Sequence, residues 1–433
     1  MSSVGKRVIL PLSFDGGPRF MTQLFQDAMN LVRRVGRPDL FITFTCNPAW
    51  PEIANELLIN QKSSDKLDLY ARVFRLKLKA LLNDIVRKSV LGKATTCCYT
   101  IEFQKRSLPH CHMLFILDEE DKPRTPEDIN RIASAEIPDP ITHPLAYETV
   151  TNSMTHGPCG LLNPEAPCMK NGRCTKNYPF NFAEATTLMG EENENNNGKL
   201  TYRRRIMIDR VVLRNSGRTT IDNRRIVLHN LYLAAKYNAH INVEIYNKVN
   251  SIKYVYKYVY KGHDRAQVHV GNPAATEPPD EINNFLDARY VSASEACWRL
   301  LSFPMHTEFP ACQRLDIHLP GDILIYYDAN DHPLEVLYRD VHDTTLTAWF
   351  KYNASNPNDE EAMAIIYPNF CERYTFHKTS SGRYWAVRRS GFGGIIGRMY
   401  SVSPRDIEKY YLATLLLHVP GATVASSGIL ELE

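Results

Sequence analysis

The sequence lacks the features that mark several large classes of protein. No stretch approaches the about 18 consecutive apolar residues of a transmembrane helix. No apolar run long enough for a secretory signal peptide follows Met1. The phosphate-binding pattern G-x-x-x-x-G-K-[ST] is absent, so the sequence predicts no ATPase. Ten cysteines in 433 residues form no dense framework of the secreted kind, which indicates reduced thiols in a cytosolic or nuclear protein.

The chain also lacks a large excess of charge of either sign. The 51 Lys and Arg residues oppose 48 Asp and Glu residues, which gives a net charge of +3. This balance excludes a uniformly basic, histone-like protein, but it leaves local basic surfaces open. Residues 199–227 form such a surface, since they hold nine Lys or Arg and two Asp. The segment includes Arg203, Arg204 and Arg205 and predicts contact with a nucleic-acid backbone, because guanidinium groups match phosphate oxygens. A solvated loop is the alternative interpretation.

Hydrophobic spacing predicts an α+β fold. Helical periodicity and β-rich runs predict helices over residues 19–35 and 65–90, and strands over residues 40–46, 94–104 and 110–117. The last two strands are predicted to form a hairpin. This order of elements is typical of an antiparallel sheet with flanking helices.

A Pro-rich linker over residues 271–280 divides the chain into two predicted domains. The first, residues 1–270, contains an insert over residues 151–227 that holds a cysteine cluster and the basic segment. The second, residues 271–433, is predicted to be a C-terminal α+β accessory region.

Two histidines on a predicted strand form the first chemical motif. His110 and His112 are two residues apart, so both imidazoles point to the same face of the strand and can bind one divalent metal. Glu102 on the preceding strand can reach them across the hairpin, with Gln104 as the alternative oxygen ligand. Two imidazoles and one carboxylate suit Mg²⁺ or Mn²⁺ and leave positions open for a phosphate. A histidine pair without a metal is the simpler alternative.

A tyrosine-rich and lysine-rich helix is predicted over residues 248–261. Tyr254 and Tyr258 are spaced i, i+4 on a face turned away from the apolar stripe, and three lysines lie beside them: Lys253, Lys257 and Lys261. Such lysines can stabilise a phenolate, which makes a tyrosine a possible covalent nucleophile, and they can also contact DNA. Tyr256 and Tyr260 lie closer to the apolar stripe and are predicted to pack. Ordinary packing of all four tyrosines is the alternative.

Three thiols and one imidazole lie within nineteen residues of each other. His156, Cys159, Cys168 and Cys174 are the residue types of a structural Cys₃His zinc site, although their spacing is not that of a standard zinc finger. Free cysteines in a Pro-rich and Gly-rich loop are the alternative.

Taken together, these motifs resemble one family. A strand with His-x-His and a helix with two tyrosines is the signature of the HUH endonucleases, which include rolling-circle replication initiators and relaxases. More closely, the chain is similar to the nuclease region of Helitron transposases, the Helitron-like N-terminal domain. The similar stretches are Phe41–Pro48, Trp50–Glu52, Glu102–Arg106, Leu108–His112, His156–Cys159, Pro167–Met169, Tyr202–Arg205, Lys236–Glu244, Lys257–Asp264, Asp287–Trp298 and Thr344–Trp349.

The resemblance implies a metal-dependent nuclease that cuts single-stranded DNA at a transposon end. In such enzymes the histidine pair holds the metal, here His110 and His112, and a tyrosine, here Tyr254 or Tyr258, attacks the phosphate and stays joined to the 5′ end. The resemblance also implies a nuclear protein, and longer relatives that continue into a helicase. We therefore expect a fragment, a truncated element or a domesticated remnant. A remnant that binds DNA without cutting it is the main alternative, and a metal phosphodiesterase that uses water is a second one.

Overall fold

A computed structural model gives the fold. It describes residues 17–62, 65–103, 108–188, 200–214, 219–246, 292–322, 342–380, 382–390, 394–424 and 430–431. The chain divides into two compact units, residues 1–307 and residues 308–433. The linker predicted over residues 271–280 lies outside the described residues, so that domain boundary stays a prediction. Among the described residues, no helix is long and apolar enough to cross a bilayer.

The first unit alternates helices and strands in chain order. Its helices are α1 (Pro18–Val35), α2 (Pro51–Ala54), α3 (Leu67–Leu82), α4 (Pro126–Ile132), α5 (Pro144–Ser153), α6 (Leu231–Tyr237) and α7 (Ala293–Leu300). Its strands are β1 (Leu40–Thr45), β2 (Ala94–Phe103), β3 (Pro109–Leu117), β4 (Met169–Lys170), β5 (Arg173–Cys174), β6 (Val212–Arg214), β7 (Thr219–Ile221), β8 (Ile241–Ile245) and β9 (His306–Phe309). The predicted α+β fold class is confirmed, and the helices and strands predicted in the first 117 residues are present, although the helix predicted over residues 65–90 consists of α3 and a short π-helix over Asn83–Arg87.

A five-stranded sheet in the order β8-β1-β3-β2-β9 organises the first unit. The four strands β8, β1, β3 and β2 pair antiparallel with their neighbours. The hairpin predicted from β2 and β3 is present, and its register sets Glu102 opposite His110. On the other side of β3, the register of β1 sets Thr45 opposite His110 and Thr43 opposite His112. These pairings place polar residues of three strands on one face of the sheet.

The opposite face of the sheet forms the main hydrophobic core. Its strands contribute apolar side chains at alternate positions, such as Ile42, Phe44 and Met113, all fully buried. They pack against α3, whose Phe74 stacks on Phe44 with ring centroids 4.9 Å apart. Trp298 of α7 joins the same core, so α7 belongs to the first unit.

Helix α1 covers only part of the polar face. Its Ala28 packs with Phe41, Cys98 and Leu114 in a small separate cluster near one end of the strands. The row that contains His110 lies further along the sheet, beyond that cluster. The face is therefore apolar under α1 and polar where the predicted metal ligands lie.

The second unit has its own core. Its helices are α8 (Thr345–Ser355), α9 (Glu360–Met363), α10 (Tyr367–Arg373) and α11 (Ile407–His418). Its strands are β10 (Ala311–Leu315), β11 (Tyr374–Thr379), β12 (Gly382–Val387), β13 (Ile395–Met399), β14 (Thr423–Val424) and β15 (Leu430–Glu431). Strand β13 pairs in parallel with β10 and approaches α10 closely. A Cβ atom at Gly397 would lie 2.1 Å from the carbonyl oxygen of Pro368, so only glycine fits there.

Candidate functional site

A row of polar residues crosses four strands of the sheet. Because Phe44 of β1 pairs with Ile241 and the Thr45 amide donates to the His240 carbonyl, His240 lies beside Thr45. His110 follows on β3 and Glu102 on β2. The next row contains Thr43 and His112. Since successive side chains alternate between faces, the two histidines, the carboxylate and their threonine neighbours share one face.

The predicted metal ligands converge within this face. His112 Nε2 lies 3.2 Å from Glu102 Oε2, and the His110 and His112 rings are 4.5 Å apart in an edge-to-face arrangement. Two neighbouring ligands of an octahedral Mg²⁺, at about 2.1 Å from the ion, are about 3.0 Å apart. The second oxygen, Glu102 Oε1, is buried and has no hydrogen-bond partner within the described part of the chain. The His112–Glu102 spacing is one that two neighbouring metal ligands can have, and it equally fits a direct hydrogen bond between the two side chains.

Burial keeps one imidazole in the form that binds metals. His110 is 8 % exposed, and desolvation, with the neighbouring His112 and His240, holds its pKa well below the ordinary value for histidine. A neutral imidazole has a lone pair to offer a metal. The Thr45 hydroxyl lies 2.7 Å from His110 Nδ1. This contact fixes the ring, and in the tautomer in which Nδ1 donates to the hydroxyl, Nε2 keeps its lone pair.

Two aromatic rings extend from the histidine pair along the same face. Phe41 stacks on His112 with ring centroids 5.7 Å apart and an interplanar angle of 13°. Tyr246, just after β8, contacts Phe41 at 5.9 Å. Sequence reasoning missed these two residues, as well as Thr45 and His240. The alternation in residues 41, 43 and 45 on β1 was the available signal, because it places them on the face of the histidines.

Several predicted site residues lie outside the described part of the chain. They are Gln104, Lys253, Tyr254, Lys257, Tyr258 and Lys261. Their assignments stay predictions, and the described site consists of the histidine pair, Glu102 and their neighbours.

The predicted Cys₃His cluster comes together in three dimensions. One ligand atom from each of four residues lies within 4.8 Å of the other three: His156, Cys159, Cys168 and Cys174. The β4–β5 hairpin brings Cys174 beside the segment of Cys168, since Met169 pairs with Cys174. His156 Nε2 lies 3.4 Å from Cys174 Sγ, whereas ligands of a tetrahedral zinc with bonds of about 2.0–2.3 Å are about 3.5 Å apart. The cluster could therefore hold a metal ion.

The surroundings act differently on the cysteines of the cluster, since desolvation raises the pKa of Cys168 to about 11. Arg225 donates from Nη1 to Cys159 Sγ at 3.3 Å and from Nη2 to the Cys159 carbonyl at 3.2 Å. Burial raises the pKa of Cys174, but backbone N–H donors from Lys176 and Tyr178 oppose it, and the pKa lies below the ordinary value. The Tyr178 ring stacks on His156 at 4.2 Å and holds the imidazole in place.

The basic segment differs from its prediction. Arg204 is 5 % exposed and donates from Nη1 to the carbonyls of Asn223 at 2.5 Å and Ile226 at 2.8 Å. Contact with DNA does not fit this placement, because the guanidinium is inside the fold and its Nη1 is bonded to backbone carbonyls. Arg205 donates to both oxygens of Glu136, and Arg203 lies 3.3 Å from the same carboxylate.

Two further arginines of the segment that the structure describes also have partners within the chain. Arg210 pairs with Asp139 at 2.6 Å, and Arg224 pairs with Asp222 at 2.7 Å. Sequence reasoning missed this because the partners are spread over the chain from residue 135 to residue 226. The described arginines of residues 199–227 thus hold the fold together.

Part of the chain that contains the histidine pair matches a known protein family. Residues 1–115 match the family described as the Helitron helicase-like domain at the N-terminus. The match covers 115 of the 433 residues and is consistent with a Helitron-like N-terminal domain in that part of the chain. The matched residues include β1, α3, β2 and most of β3, with Glu102, His110 and His112. A search of the curated proteins found no match.

Proposed function

We propose that the protein is a metal-dependent endonuclease and strand transferase for single-stranded DNA, of the kind found in rolling-circle, Helitron-like transposases. The observation that carries the proposal is the convergence of Glu102, His110 and His112 on one sheet face. His112 Nε2 and Glu102 Oε2 are 3.2 Å apart there. The match of residues 1–115 to the Helitron-like family supports the same assignment.

In this proposal His110, His112 and Glu102 hold Mg²⁺ or Mn²⁺. When bound, the ion polarises a non-bridging oxygen of the scissile phosphate and makes the phosphorus more electrophilic. The neighbouring residues hold the proposed ligand side chains in position. Burial holds His110 neutral, Thr45 fixes its ring through Nδ1, and Phe41 stacks on His112.

Tyr254 or Tyr258 supplies the nucleophile. The phenolic oxygen forms a bond to phosphorus, the bond between phosphorus and the 3′ oxygen breaks, and the tyrosine stays joined to the 5′ end. The tyrosine hydroxyl loses its proton and the leaving 3′ oxygen gains one, so the exchange of one phosphodiester for another balances. The second tyrosine can repeat this exchange on another strand, which gives strand transfer.

The cations that hold DNA are proposed to lie mainly outside the basic segment. Lys253, Lys257 and Lys261 adjoin the two tyrosines in the sequence and can contact the backbone near the cut. Arg203 and Arg205 keep a possible role, because their side chains are 35 % and 41 % exposed. Arg204 does not take part in DNA binding in this proposal.

We also propose that the Cys₃His cluster holds a structural Zn²⁺. Three sulfurs and one imidazole nitrogen are a set that zinc prefers, and their mutual distances suit it. The metal content of the purified chain tests this. We expect about one zinc per chain, lost in Cys168→Ser and kept in Cys312→Ser, a partly buried cysteine in the second unit. Equal zinc content in the two variants would refute the site.

The nuclease proposal is tested with single-stranded DNA labelled at either end, incubated with Mn²⁺ or Mg²⁺ and run on denaturing gels. We expect a covalent protein–DNA adduct that carries the label of the 3′ side of the cut. The double variant Tyr254→Phe/Tyr258→Phe should abolish the adduct, and Tyr256→Phe should keep it as a matched control. Replacing His110 and His112 should stop cleavage and spare most DNA binding.

The other outcomes of this experiment identify the alternatives. Cleavage without an adduct indicates a phosphodiesterase that uses water. DNA binding without cleavage under any metal indicates a remnant that only binds. An adduct that survives in the Tyr254→Phe/Tyr258→Phe double variant would refute the assignment of the nucleophile.

A further inference from the structure

A cavity lies at the end of the sheet face that carries the histidine pair. Its volume is about 200 Å³, and its lining includes Arg37, Asp39, Lys122, Arg124 and Tyr246 together with apolar side chains. Pockets for drug-sized ligands are larger, at about 300–1,000 Å³. A cavity of this volume, lined by charged side chains and an aromatic ring, therefore suits one planar, polar group that is attached to an anionic group.

A fixed carboxylate forms one wall of this cavity. Asp39 is 8 % exposed, and its Oδ2 accepts the backbone N–H of Leu117 at 2.8 Å. The Asp39 carbonyl accepts the N–H of Tyr246 at 2.8 Å, so backbone and side chain are both held. A carboxylate placed in this way offers its remaining lone pairs as acceptors for N–H groups of a ligand.

An available cation lies at the same cavity. Lys122 and Arg124 both pair with Glu119, each at 2.6 Å, so much of their charge is compensated. Arg37 is exposed and makes no hydrogen bond or ion pair with any residue that the structure describes. It is thus the cation best able to bind a phosphate.

Ring contacts connect the cavity to the candidate metal site. Tyr246 lines the cavity and contacts Phe41 at 5.9 Å, and Phe41 stacks on His112 at 5.7 Å. Aromatic rings followed by cations are the usual combination in sites for single-stranded nucleic acid, since every base can stack on a ring. Tyr246 therefore lies between the cavity and the candidate metal site, although Phe41 itself is buried beneath α1.

We propose that the cavity binds one nucleotide of the DNA strand held at the metal site, and that it selects a base with an exocyclic amino group. The amino group donates to Asp39, the base lies against Tyr246, and the phosphate contacts Arg37. Thymine has no amino group and presents carbonyl oxygens, which a carboxylate repels. The inference rests on the proposed function, because it takes single-stranded DNA as the ligand.

The test measures binding of fluorescent 12-nucleotide dC and dT strands to the full chain without added divalent metal, so that it does not depend on cleavage. We expect wild type to prefer dC. Asp39→Asn keeps an acceptor for the Leu117 N–H and turns an amide donor toward the base. It should therefore lower the dC-to-dT affinity ratio by about fivefold or more. An unchanged ratio in a variant that melts like wild type would overturn the proposal.

A second variant keeps the test independent of any folding defect. Arg37→Ala changes an exposed side chain and should weaken dC and dT equally, and lower the salt dependence of binding by about 0.7 in slope. Arg33→Ala, an exposed arginine of α1 that does not line the cavity, should change neither quantity. Equal effects of the two substitutions would refute the role of Arg37.

Free deoxycytidine monophosphate distinguishes a nucleotide of the strand from a free nucleotide. It should compete with labelled dC strands only weakly, because it lacks the contacts along the rest of the strand. Competition as strong as that of an unlabelled dC strand would overturn the proposal in favour of a free nucleotide. Adduct formation is measured separately, so that failure of the nuclease proposal and failure of this one give different results.

Discussion

Replacing Arg204 decides between a DNA contact and a structural role for the basic segment. The sequence predicts that this arginine contacts phosphate, whereas the structure buries it among backbone carbonyls of residues 223 and 226. Its guanidinium carbon also lies 4.7 Å from the centre of the Phe180 ring. We expect Arg204→Met, which keeps the length of the side chain and removes its donors, to destabilise the first unit without a specific effect on DNA binding.

The magnitude follows from the contacts that are lost. Two short hydrogen bonds from a charged donor are removed, each worth about 1.5–3 kcal/mol. The carbonyls of Asn223 and Ile226 would stay buried without this donor, while the methionine side chain recovers part of the apolar packing. We therefore expect a loss of about 3–5 kcal/mol in the free energy of unfolding.

Urea denaturation followed by circular dichroism measures this loss, and Arg210→Met is the matched control. Arg210 lies in the same segment and makes an ion pair with Asp139 in which both side chains are partly exposed, so its loss should cost under about 1 kcal/mol. DNA binding is compared at a temperature where all chains are folded. An Arg204→Met variant that unfolds like wild type but binds DNA more weakly would refute the structural role.

Three further predictions concern the first unit. Burial lowers the pKa of His229 from 6.5 to about 4. As the pH falls, the unfolded chain therefore takes up this proton at a higher pH than the folded chain does. We expect about 3 kcal/mol of stability to be lost as the pH falls from 7 to 4. Urea midpoints should show this loss, and His229→Gln should reduce it; an identical pH profile in the variant would contradict the reasoning. Thr45→Val should lower the Mn²⁺ affinity of the histidine pair about tenfold, as measured by Mn²⁺ titration. Thr45→Ser should restore this affinity and Thr43→Val should leave it unchanged, whereas equal losses in both valine variants would indicate general damage to β1. Removing zinc with a chelator should lower the melting temperature of wild type and leave Cys168→Ser unaffected, because that variant has already lost the ion; equal shifts in both would count against the Cys₃His site.

Local patterns in the sequence account for the part of the fold that was predicted. Helices α1 and α3 and strands β1, β2 and β3 have strong periodicity, and the hairpin follows because β2 and β3 are close in sequence. Strand β8 was not predicted, although its buried residues Ile241, Val243 and Ile245 alternate with partly exposed ones, as is typical of a strand. Five residues are too short for a clear signal. Its place beside β1 also depends on a pairing across some 200 residues of chain, which no local pattern specifies.

The proximity of the three proposed metal ligands was predictable for the same reason. His110 and His112 share a face because the side-chain period of a strand is two, and Glu102 is close to both because the hairpin register brings it there. Thr45 and His240 come from other strands, so their positions beside His110 required the sheet order. The Cys₃His cluster was predictable from residue types alone, since the four residues lie within nineteen positions of the chain.

The basic segment shows why charge density in a sequence is an uncertain guide to DNA contact. A run of arginines predicts a phosphate-binding surface only if the guanidiniums are exposed, and burial depends on partners far along the chain. Here Glu136 forms ion pairs with both Arg203 and Arg205. Arg225 donates a hydrogen bond to Cys159. The His156 amide also donates to the Arg225 carbonyl at 2.8 Å, so this segment attaches the cysteine cluster to the first unit. Since Arg225 is used inside the fold and Arg203 and Arg205 are paired with Glu136, the proposed DNA track depends mainly on cations elsewhere: Arg37 at the cavity and the lysines beside Tyr254 and Tyr258. Salt-dependent binding should therefore respond to Arg37→Ala more than to Arg210→Met, although the second residue lies in the more basic stretch of sequence.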